Sequence, residues 1–152
     1  MPEIALRLGA SPWQPTDDSR TVLALHSYDR PLAGIVAQVG GYLLFECLQG
    51  HVNDTSLWAY AELAGTEVSA FRAARGPVGW DLADHVLLTR PVLAGMAVDD
   101  RLVLTTRIEP GTPTRTELTR VALARFRRKM TRGLSAVTGW LQDHGPVPSA
   151  AS

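Results

Sequence analysis

Between residues 21 and 63 the chain sets out four strand-length segments joined only by short connections. Residues 21–28, 32–39, 42–49 and 56–63 are the segments; Asp29-Arg30-Pro31, Gly40-Gly41 and the polar stretch 50–55 join them. Proline fixes φ and lacks a donor, and a glycine pair tolerates positive φ, so the first two joints read as tight turns. Parallel neighbours need a crossover of a dozen or more residues, usually a helix. Strands that follow one another without one favour antiparallel pairing, and with the helices below they imply an α+β domain.

The rest of the chain adds elements to that sheet. Residues 3–8 alternate polar and apolar and read as a short strand, and 9–19 as a loop with Pro12, Pro15 and Asp17-Asp18. Past residue 63 the period changes: Thr66 is placed to cap a helix running to Arg75, with Gly76 and Pro77 ending it. In 78–97, strand segments are read at 86–89 and 92–94; Asp99-Asp100 is a turn and 101–108 a strand. Pro110-Gly111-Thr112-Pro113 is a rigid link. Thr114-Arg115-Thr116-Glu117 then has the form of a capping box and opens a helix over about 115–143. Residues 145–152 read as a disordered tail on a single domain of residues 1–144. The expected fold is a twisted antiparallel sheet of five to seven strands, one short middle helix and a basic amphipathic C-terminal helix.

A two-residue loop at Gly40-Gly41 pairs Val39 with Tyr42, Ala37 with Leu44 and Ile35 with Glu46. Opposed residues share a face. Ile35, Val39, Tyr42, Leu44 and Glu46 then lie on one side, and Val36, Gln38, Leu43, Phe45 and Cys47 on the other. Assuming a phase for the neighbouring strands gathers Leu23, Leu25, Leu43, Phe45, Leu57 and Leu63 on an apolar face. The opposite face would hold His26, Tyr28, Tyr42, Glu46, Trp58 and Tyr60, a surface able to stack on a ligand or anchor a partner. If Glu46 is buried beside Ile35 it needs an arginine or a raised pKa. Arg30 and Arg107 are the partners considered.

The order Tyr28-Asp29-Arg30-Pro31, Tyr42-Leu43, Trp58, a short helix ending near Arg75, and Asp81-Leu82 resembles a small bacterial domain family with no assigned function. Its members show a Tyr-Asp-x-Pro turn, a Tyr-Leu strand, a Trp strand and a short helix before an Asp-Leu pair. The resemblance spans roughly residues 20–108 and departs from the pattern at Ala59, where a larger apolar residue is expected after the tryptophan. It implies a compact sheet-and-helix body and transfers no activity.

Motifs for chemistry are sparse. There is no glycine-rich phosphate loop and no Gly-x-Ser-x-Gly elbow. The histidines, His26, His51, His85 and His144, do not pair at metal-ligand spacing, and a single cysteine makes no zinc site of the usual kind. No metal or cofactor is expected. Asp81, Asp84 and His85 form the densest potential ligand set and read as an ordinary polar stretch. Cys47 with His26 or His51 would need an electropositive, partly exposed thiol, which its apolar neighbours oppose. Glu46 and His26 are a candidate acid–base pair. Asp29 reads as an Asx-turn acceptor.

Charge is unevenly spread. Residues 111–152 carry seven of the fifteen basic residues and two of the fifteen acids, on a chain of zero net charge. Wound as a helix, the segment places Phe126, Met130, Gly133, Val137 and Trp140 along a packing seam, with Arg125, Arg128 and Arg132 as a stripe away from it. A 29-residue helix would span roughly 43 Å, against a body roughly 38 Å across. It must break, most plausibly at Gly133, or overhang the body. No leader or spanning helix is read. The expectation is a non-enzymatic bacterial cytoplasmic module binding a protein partner or a second protomer through that stripe. The alternatives are a small enzyme or small-molecule binder on the aromatic face, and a nucleic-acid binder using the arginines.

Overall fold

The four consecutive segments pair as antiparallel neighbours, and two further strands extend the same sheet. The computed structural model describes residues 6–52, 54–74 and 77–144, and for 51, 52 and 131–144 the backbone alone. Among these, β1 (Arg20–Ser27), β2 (Pro31–Gln38), β3 (Gly41–Val52) and β4 (Thr55–Leu63) are followed by α1 (Gly65–Ala73) and α2 (Pro77–Thr89). Then come β5 (Val92–Val98), β6 (Arg101–Ile108) and α3 (Arg115–His144). The six strands lie in chain order, each antiparallel to the next, so the fold is α+β.

Several expectations shift. Residues 6–8 are not strand, and 3–5 and the tail 145–152 lie outside the described residues. Helix α1 starts one residue ahead of Thr66; its first turn is closed by the Glu67 carboxylate, which accepts the Ala64 N–H at 3.0 Å. Pro77 opens α2, the position where its missing donor costs nothing. Residues 86–89 are helical because Ala83, Val86 and Leu87 form one buried stripe. Pro91 stops the helix, disfavouring helical backbone in the residue before it. The middle of the chain therefore holds two helices.

The β2–β3 register differs by one step of the turn. Gln38 pairs with Gly41, Ala37 with Tyr42 and Ile35 with Leu44, so the loop is Val39-Gly40. Gly40 takes φ +90°, the left-handed value glycine adopts freely, while Val39 is 86% exposed. The slip is by two residues in pairing, so every side chain keeps its face.

Beyond β3 the faces sort differently from expectation. Phe45 opposes Tyr60 and Cys47 opposes Trp58, whereas Glu46 opposes Ala59. Trp58 and Tyr60 thus share a face with Leu43 and Phe45, and Tyr42 and Glu46 lie on the other. Both phases of β4 are buried, Leu57 and Trp58 alike, so alternation carries no sign of which points where. The first face, with Ile35, Leu44, Leu57, Ala59 and Met96, is covered by the helices through Val68, Phe71, Val86, Leu87, Leu118, Ala122 and Phe126. The second is covered by the N-terminal loop, whose Leu6 and Trp13 pack on Phe45, Trp58, Tyr60 and Leu102. The Tyr60 hydroxyl donates to the Pro12 carbonyl at 2.7 Å, and Trp13 lies 6.2 Å from Trp58.

Both sheet edges are guarded by cations. Arg72 of α1 donates to the Val22 carbonyl on β1. On β6, Gly9 and Ala10 bond the backbone of Leu102, Lys129 donates to the Thr105 carbonyl and Arg125 to the Arg107 carbonyl at 2.8 Å. Such contacts occupy part of the open template an edge strand presents to other chains. The tips of the first and last hairpins are joined by Arg30 donating to the Asp100 carboxylate.

Candidate functional site

A row of small residues flanks Glu46 across the first face: Ala33 on β2, Glu46 on β3, Ala59 on β4, Ala94 on β5 and Thr106 on β6 are successive cross-strand partners. Alanines on either side leave room above Glu46, which is 3% exposed. Arg115, the first residue of α3, fills that room: its Nη2 lies 2.6 Å from Glu46 Oε1, and its Nε 3.4 Å from Asp84 Oδ1 on α2. Glu46 Oε2 and Arg115 Nε are buried and make no hydrogen bond. Burial pushes the Glu46 carboxyl up to about 7; Arg115 pulls it down and Asp84 adds to the rise.

Of the two compensations expected for a buried Glu46, an arginine or a raised pKa, it has both, and the arginine is a different one. Arg30 pairs with Asp100 and Arg107 with Glu109. Ala33 rather than Ile35 stands opposite Glu46, a consequence of the register. The sequence carried one usable signal for Arg115: the capping box fixes it as the first helical residue, and the Thr114 hydroxyl does accept the Glu117 N–H at 3.1 Å. Nothing local says where that helix end lands.

The other site residues do not gather. Tyr28 is 79% exposed, while Trp58 and Tyr60 are buried on the loop-covered face. His26 is exposed and meets Trp80 edge-on at 5.7 Å. One strand separates it from Glu46, about 10 Å at two interstrand spacings, so the acid–base pair is not assembled. The aromatic ligand face therefore does not exist as one surface. The Cys47 thiol donates to the Gln49 carbonyl at 3.3 Å and burial raises its pKa to about 11, which removes it as a nucleophile at neutral pH. Asp81, Asp84 and His85 all lie on α2. Among the described residues no group of three His, Cys, Asp or Glu side chains is placed to hold a metal ion.

The basic stripe is divided. Arg125 is half-buried and turned back to the β6 edge; a long stem lets it lie along the body while its head reaches the Arg107 carbonyl. Arg128 is exposed, and the Arg132 side chain lies outside the described residues. Two arginines outside the expected stripe are better placed. Arg120 and Arg127, two turns apart on α3, line an open groove of about 520 Å³ with Thr116, Thr119, Leu123, Ala124 and Leu48 of β3. Arg120 also pairs with Glu117 at 2.8 Å. Helix α3 continues through Gly133 without a break. Its seam leaves the core one turn past Phe126, which is 1% exposed, at Met130, which is 45% exposed.

No family model, curated protein or solved structure matches the chain. No helix among the described residues is long and apolar enough to cross a membrane.

Proposed function

We propose that the chain is a non-enzymatic binding module of the bacterial cytosol. The outer face of α3 engages an acidic protein surface, on another protein or on a second protomer. The groove carries this reading: an apolar floor of Leu48, Leu123 and Ala124 is flanked by the guanidinium groups of Arg120 and Arg127. Apolar contact supplies affinity there, and paired charges choose the partner's sign. Exposed Met130 extends the apolar strip along the helix.

Two observations favour this over the alternatives. The aromatic residues that would form a small-molecule site are split between two faces. Of the three arginines that a phosphate backbone would need together, Arg125 is bonded to the Arg107 carbonyl of β6. The test is a photoreactive residue at position 123 in the full chain, irradiated in cells and followed by mass spectrometry. A protein crosslink, to another protein or to a second copy, that disappears in the Arg120→Glu/Arg127→Glu variant is expected. A crosslink that survives the double reversal refutes the role given to the arginines.

A further inference from the structure

Glu46 is a buried carboxyl that the binding surface does not use, and it meets the first residue of α3. We propose that Glu46 is a proton-operated latch for the first turn of α3, with Arg115 moving between Glu46 on β3 and Asp84 on α2. In the structure a single Arg115 guanidinium contacts both carboxylates at once, through different nitrogens. Arg115 touches Glu46 at 2.6 Å and Asp84 at 3.4 Å, and it is 36% exposed while Glu46 is 3% exposed. One carboxylate oxygen of Glu46 and the Arg115 Nε stand buried without hydrogen bonds, so the pair as it stands is incompletely satisfied. A half-satisfied buried ion pair is poised for rearrangement, since losing the charge removes a desolvation cost along with an attraction.

The charged groups facing Glu46 are Arg115 from α3 and Asp84 from α2. Its cross-strand neighbours, Ala33 and Ala59, bring none. His26 lies one strand further along the row, turned to Trp80. When Glu46 takes a proton, Arg115 loses its buried anion and keeps Asp84, the more exposed carboxylate. The contact between α3 and β3 then relaxes while that between α3 and α2 tightens. Leu118, Ala122 and Phe126 remain buried, so the helix stays docked and only its first turn responds. The latch does not depend on whether the outer face of α3 takes a partner.

The test is a carbon-detected NMR titration of the Glu46 carboxyl in the full chain from pH 5 to 8.5. Amide hydrogen exchange of residues 115–119 is followed in parallel, corrected for its intrinsic pH dependence. Glu46 should titrate near 7, with protection of the first turn changing at the same midpoint. Glu46→Gln should hold the relaxed state across the range. Should that variant fold poorly, two variants with more exposed changes decide instead. Asp84→Asn should move the Glu46 midpoint down and Arg115→Gln should move it up. A Glu46 that does not titrate in this range, midpoints that move the opposite way, or protection that ignores its titration overturns the latch.

Discussion

A carboxylate on an interior strand, 3% exposed, is costly to keep charged, and Arg115 offsets only part of that cost. Because its folded pKa lies above the ordinary 4.5, the stability Glu46 contributes is fully present below pH 4.5. It is lost as pH rises through about 7. The shift corresponds to about 3 kcal/mol across that window. Glu46→Gln should flatten this slope, and urea denaturation at pH 5 and pH 8 measures it: the variant should gain on the wild type at pH 8. Tyr60 is a simpler case. Its hydroxyl is the hydrogen bond that ties strand β4 to the N-terminal loop, so Tyr60→Phe should cost about 1 kcal/mol in the same assay. Of these two residues, Glu46 was legible in advance as a group needing compensation, because a charge inside an apolar strand announces itself. The sequence pattern puts Tyr60 on the face of Glu46, whereas it shares the face of Phe45, because both phases of its strand are buried.

At the scale of elements, α3 shows where packing ends. Phe126→Ala should cost about 3–5 kcal/mol and Met130→Ala under about 1 kcal/mol, although both belong to one heptad-like seam. Thermal denaturation of the two variants separates them. The same helix guards the β6 edge. Removing both caps, as in Arg125→Ala/Lys129→Ala, uncovers the Thr105 and Arg107 carbonyls, and should raise the rate of aggregation on heating, followed by light scattering. Spacing on a helical wheel puts Phe126 on the buried side, as observed, but carries the seam on to Met130, which is exposed, and sets Arg125 apart from the body. The side chains of the seam from Gly133 through Val137 to Trp140 lie outside the described residues. A wheel describes where a side chain leaves the helix and not how far its stem reaches back.

For the whole molecule, the charge split between an acidic body and a basic C-terminal segment is partly consumed inside the fold. Arg115 binds Glu46, and Arg125 and Lys129 bind carbonyls. Association through the remaining face should weaken steeply between 50 mM and 500 mM salt, since the screening length falls from about 14 Å to about 4 Å; sedimentation velocity at both salts reads it. The sequence by itself determined the antiparallel order of consecutive strands, the Asp99-Asp100 turn, the start of α3 and the faces of β2 and β3. Each of these is written in local pattern: turn residues, a cap, a period of two. Only the tertiary structure decided the phase of β4, the helical fate of residues 86–89, the landing of Arg115 on Glu46 and the division of the arginines between edge and groove. Those outcomes depend on which surfaces meet between segments far apart in the chain, and burial on both sides of a sheet erases the alternation that would have foretold them.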